Sequence, residues 1–78
     1  MELTELVSRL VAINSVNPDL VPGAPGERAI ADFAAGWLVA RGVDVAEVGP
    51  AARPSLFCRV PGTSGGRSLL LYAHTDTV

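Results

Sequence analysis

The chain reads as an α/β fold, two amphipathic helices packed on a mixed sheet, and three observations predict it. Apolar residues recur at helical spacing in two segments, residues 3–13 and 30–38. After Gly42 the apolar pattern changes to alternation. Last comes an uninterrupted apolar run, Leu69 to Ala73, of strand length. Helices followed by strands, each with one apolar face, are expected to bury those faces against one another in layers.

The first helix covers about the first dozen residues. Leu3, Leu6, Val7, Leu10 and Ile13 share one side, Glu2, Glu5, Ser8 and Arg9 take the other, and Asn14-Ser15 ends it. The segment Ser15 to Gly26 contains Pro18, Pro22, Pro25 and Gly23, so it is a loop. A second helix starts near Glu27, whose charge suits a helix N-terminus, and carries Ile30, Phe33, Ala34, Trp37 and Leu38 on one face. At that spacing Phe33 and Trp37 are expected in the core rather than in a ligand platform. Arg41 falls in the last turn, and Gly42 is placed to terminate the helix in the left-handed conformation.

Three strands are expected next. Val43 to Val48 and Leu56 to Val60 alternate and should be half exposed, whereas Leu69 to Ala73 is apolar at every position and should be buried on both faces. The turn-rich Pro61 to Arg67 between the second and third suggests an antiparallel hairpin there. Its glycines do not make a phosphate loop: no lysine follows at the required spacing, and a strand rather than a helix comes after it. No cofactor-binding residue is expected there.

Composition limits the function classes. The 78 residues amount to one small domain, which buries only about 60% of its unfolded surface. Yet 49% of the residues are hydrophobic and 18% charged, which implies apolar faces meant for partners outside this segment. With a net charge of −2, no lysine and scattered arginines, a nucleic-acid partner is not expected. No apolar run approaches a membrane span, and the acidic start is unlike a signal peptide. The lone Cys58 makes no internal disulfide and reads as a small hydrophobe in a strand. These features together lead us to expect a soluble, cytoplasmic protein.

The chemistry concentrates at the end of the apolar run. His74, the single histidine, is followed two positions later by Asp76, so in an extended chain both face the same way. Such a pair suits metal binding, the imidazole as ligand and the carboxylate as the group that takes the other ring N–H and fixes the tautomer. A hydrogen-bonded structural histidine is the other reading of the same residues. One ligand does not complete a site, since catalytic zinc takes about three protein ligands plus water.

The segment Leu69 to Val78, with its His74-Thr75-Asp76-Thr77-Val78, resembles the first metal-binding motif of the zinc-dependent aminoacylase and carboxypeptidase family. That family includes acetylornithine deacetylase, succinyl-diaminopimelate desuccinylase, glutamate carboxypeptidase and di- and tripeptidases. Leu10 to Pro18, with Ser15-Val16-Asn17-Pro18, is similar to the family's first helix and following loop. Glu27 to Leu38 and Arg41 to Val45 resemble its second helix and next strand, and Phe57 to Gly62 its strand and Pro-Gly turn. The likeness spans nearly the whole chain; the departure is Ala73, where glycine is commoner.

The resemblance implies that His74 ligates one of two Zn2+ ions, with Co2+ or Mn2+ as alternatives, and that Asp76 is the catalytic-site carboxylate that orients it. It implies a homodimeric amidohydrolase or peptidase acting on N-acyl amino acids or short peptides. Residues 1–78 would then be the amino-terminal segment of the catalytic domain, inactive alone, with the remaining ligands, the general-base glutamate and a lid domain encoded after Val78. Two rival readings are a small non-enzymatic α/β interaction domain and a catalytically dead relative.

Overall fold

The computed structural model describes all residues, 1–78, as two helices followed by a two-stranded antiparallel sheet, a small mixed α/β fold. Helix α1 spans Leu3–Ala12, α2 Arg28–Val39, strand β1 Val45–Val48 and strand β2 Ser55–Cys58. Both helices form where the apolar spacing predicts. On the outer face of α1, Arg9 pairs with Glu5 one turn away at 3.2 Å.

The end of α2 follows from one residue. Gly42 has φ +79°, and around it the Val43 N–H donates to the Leu38 carbonyl at 3.1 Å while the Gly42 N–H donates to the Val39 carbonyl at 3.0 Å. These two bonds are the paired closure of a glycine-terminated helix, and they satisfy carbonyls the helix leaves free. The start of α2 falls one residue after Glu27, as expected. Glu27 stands at the N-cap position but makes no capping bond; its carboxylate turns to Arg53 instead.

Strands β1 and β2 pair Val45 with Cys58 through Val48 with Ser55. Arg28 ties this hairpin to α2, bonding Asp32 on its own helix, Glu47 on β1 and the Ala51 carbonyl at 2.9 Å. The guanidinium holds the Glu47 carboxyl below the usual range, chiefly by hydrogen bonding. Cys58 is half-buried and free.

The third strand is absent. Leu69 to Ala73 makes no sheet pairing, and Leu69, Leu70, Leu71 and Tyr72 are 78–89% exposed, so the run expected to be buried on both faces is bare on both. The hairpin expected between the second and third strands is therefore not formed, and the antiparallel hairpin joins β1 to β2 instead. A strand that lacks a neighbour has nothing to take its backbone hydrogen bonds. The reach of the chain reflects this: its radius of gyration is 14.2 Å, against about 11.5 Å for a compact chain of this length.

The core is correspondingly small. Ile30 and Ala31 of α2 are its buried apolar side chains, and α1 buries none of its own. Phe33 and Trp37, expected in the core, are only half-buried. The Trp37 ring is covered by the Arg41 guanidinium, 3.7 Å from its centre, which gives the arginine a cation–π partner in place of a place in the helix.

Candidate metal centre

Residues 74–77 lie beside the loop that follows α1, and backbone bonds join them. Thr77 donates its N–H to the Ser15 carbonyl at 3.1 Å and accepts the Asn17 N–H at 2.8 Å, a parallel bridge centred on Val16 and Thr77. Ser15 adds a side-chain bond, its hydroxyl donating to the Thr75 carbonyl at 2.7 Å, and is 2% exposed. Two segments some sixty positions apart are thereby held together.

The loop itself is anchored from below. Arg53 donates through Nε to both Glu27 carboxylate oxygens, at 2.8 and 2.9 Å, and through Nη1 to Asp19 at 3.2 Å. Gly26, at φ +74°, passes so close that a Cβ there would stand 3.1 Å from Arg53 Cδ and 3.2 Å from the Ala52 carbonyl oxygen. Its N–H donates to the Val16 carbonyl at 3.0 Å, closing the loop on itself. A side chain at residue 26 would meet both backbone strain and crowding.

Within this frame His74 and Asp76 meet, as alternation along an extended chain predicts. His74 Nδ1 lies 3.1 Å from Asp76 Oδ1 and 3.1 Å from the Asp76 carbonyl oxygen. Both neighbours are acceptors, so Nδ1 carries a proton, and in the neutral ring Nε2 is the nitrogen that presents a lone pair. The other carboxylate oxygen of Asp76, Oδ2, accepts from the Asn17 side-chain amide at 3.0 Å. That bond, ahead of the one from His74, holds the Asp76 carboxyl below its usual range against the opposing effect of burial.

The donor set suits one corner of a metal site. A neutral imidazole whose second nitrogen is held by a carboxylate is a common zinc ligand. No group of three histidine, cysteine, aspartate or glutamate side chains that could hold a metal ion gathers in the chain. Beside His74 opens a cavity of about 470 Å³ lined by Leu10, Ile13, Ile30 and Thr75. A groove of about 710 Å³, which His74 and Asp76 also line, separates β2 from Leu69 to Ala73.

Sequence reasoning named His74 and Asp76 as candidates and read Ser15 to Gly26 as a loop, with Ser15-Val16-Asn17-Pro18 noted only for its family resemblance and given no part in the site. The parts played by Ser15, Asn17 and the Glu27–Arg53 pair depend on contacts across 26 to 60 positions, for which local spacing holds no signal. No helix is long and apolar enough to cross a membrane. Set against protein-family models, curated proteins and solved structures, the chain has no match.

Proposed function

We propose that these residues form part of a two-metal hydrolase that cleaves amide bonds in N-acyl amino acids or short peptides, with His74 as one metal ligand. The observation that carries the reading is the Asp76 carboxylate on His74 Nδ1, which leaves Nε2 free to coordinate. It gains weight because the Ser15-Val16-Asn17-Pro18 and His74-Thr75-Asp76 segments, on which the family resemblance chiefly rests, bond to each other.

When bound, the metal pair supplies Lewis-acid polarisation of the scissile carbonyl and lowers the pKa of the attacking water. This chain's share is narrower. His74 contributes one nitrogen, Asp76 keeps the proton on Nδ1 and the ring in place, and the buried Ser15 hydroxyl holds the backbone of Thr75 between them. The remaining ligands and the general base come from other residues of the complete enzyme. The bare Leu69 to Tyr72 fits the same reading, since further strands would cover it.

The test is hydrolysis of N-acetyl amino acids and dipeptides by the full-length protein that carries these residues. A chelator and His74→Ala should each abolish turnover, and Asp76→Asn should keep much of the metal yet lose about 10- to 100-fold in affinity or activity. Turnover that survives His74→Ala would defeat the proposal. Calorimetry on the 78-residue chain should show only weak zinc binding, because one imidazole leaves the ion mostly hydrated. Tight one-to-one binding lost in His74→Ala would contradict a site shared with other residues.

A further inference from the structure

The His74 ring is 78% exposed, so packing does not set its orientation; hydrogen bonds do. The only side chain bonded to it is Asp76, through Oδ1. A carboxylate held at one oxygen swings about its last torsion, whereas one held at both oxygens does not. The second hold is Asn17, whose Nδ2 donates to Oδ2 at 3.0 Å.

Asn17 is itself fixed at three points. Its side-chain oxygen accepts the Asp19 N–H at 2.8 Å, which assigns the amide so that its NH2 faces the carboxylate. Its backbone N–H donates to the Thr77 carbonyl at 2.8 Å, holding it abreast of residue 76. Its backbone carbonyl accepts the Val21 N–H at 2.9 Å. We propose that Asn17 is a positioning residue of this site, holding the Asp76 carboxylate so that Oδ1 faces His74 Nδ1 and Nε2 stays open to a ligand.

This rests on the metal-ligand reading of His74, but the test does not need a metal. Asn17 has two separable roles, since its Oδ1 makes the local turn and its Nδ2 makes the bond to Asp76. Asn17→Asp keeps an oxygen for the Asp19 N–H and removes the donor, replacing it with a charge that repels Asp76. Nitrogen-15 shifts of the His74 ring, recorded on the metal-free 78-residue chain at a pH where the imidazole is neutral, read the tautomer directly. The wild type should show mainly the Nδ1–H form, and Asn17→Asp and Asp76→Asn should both move the ring toward Nε2–H. The Asp76 carbonyl, a neutral and weaker acceptor, remains on Nδ1, so the move should be partial.

An unchanged ring spectrum in Asn17→Asp, with the Asp19 amide resonance also unchanged, would reduce Asn17 to a turn residue and overturn the proposal. So would a wild-type ring already in the Nε2–H form. If adjacent carboxylates unfold the loop, Asn17→Ser decides, because its short hydroxyl serves the turn without reaching Asp76. The hydrolysis assay separates the two proposals. A tautomer change in Asn17→Asp beside turnover that survives His74→Ala would remove the hydrolase reading and leave the role of Asn17 standing. Turnover lost in His74→Ala beside an unchanged ring spectrum in Asn17→Asp would do the reverse.

Discussion

Two adjacent stretches of one extended segment meet opposite fates. Residues 74–77 are gripped by the loop after α1 through backbone and side-chain bonds, and Asp76 is mostly covered. Residues 69–73, immediately before them, are more apolar and touch almost nothing. Hydrophobicity alone would predict the reverse. What separates the two is the presence of a neighbour able to take hydrogen bonds: Ser15 and Asn17 offer polar groups at the right register, while the edge of β2 stands across a groove from Leu69 to Ala73. An apolar run is buried only if a second surface reaches it, whereas a polar clasp needs a few well-placed groups.

The comparison can be broken most strongly from beneath the clasp. Ile30 is the largest buried apolar side chain and lines the cavity beside His74, so Ile30→Ala should cost about 2 to 5 kcal/mol, read from the urea midpoint. A smaller loss would mean that polar bonds, not the core, support the gripped stretch.

Ser15→Ala is next. It removes the hydroxyl bond to the Thr75 carbonyl in a nearly sealed position, and should cost about 1 to 3 kcal/mol while raising the hydrogen-exchange rate of the Thr77 amide. Exchange at Leu70 should not change. Equal effects at both amides would show that the two stretches unfold as one unit.

Acid should sharpen the contrast. The Asp76 and Glu47 carboxyls are held below their usual range in the folded chain, by Asn17 and Arg28 first among the causes. Folded values below the unfolded ones, about 3.9 for Asp and 4.3 for Glu, mean that both contribute stability above those values and lose it as pH falls through the folded values. Protection at Thr77 should therefore fall in that window, modestly because both groups reach solvent. Leu69 to Ala73 has no carboxylate and should show no such step.

The smallest effect on stability belongs to the bare stretch. Leu70→Lys should change the unfolding free energy by less than about 0.5 kcal/mol, because the side chain is 78% exposed. Its effect on association should be plain: the wild type offers an uncharged apolar strand edge and should self-associate on size exclusion, and the charged variant less so. A monodisperse wild type with protected Leu69 to Tyr72 amides would erase the difference between the stretches.

The sequence by itself determined the parts whose causes lie within one turn or one alternation. Both helices, the glycine stop at residue 42, the loop between them and the shared face of His74 and Asp76 follow from spacings of two to five residues, and each is present. Tertiary structure decided the pairings. That β1 meets β2, that Leu69 to Ala73 meets no strand, and that Asn17 reaches Asp76 across 59 positions depend on which surfaces come together after the chain turns back. The physical reason is that local pattern sets what a segment offers, an apolar face or an open hydrogen-bond edge, while a long-range contact forms only where a partner repays the entropy of closing the loop.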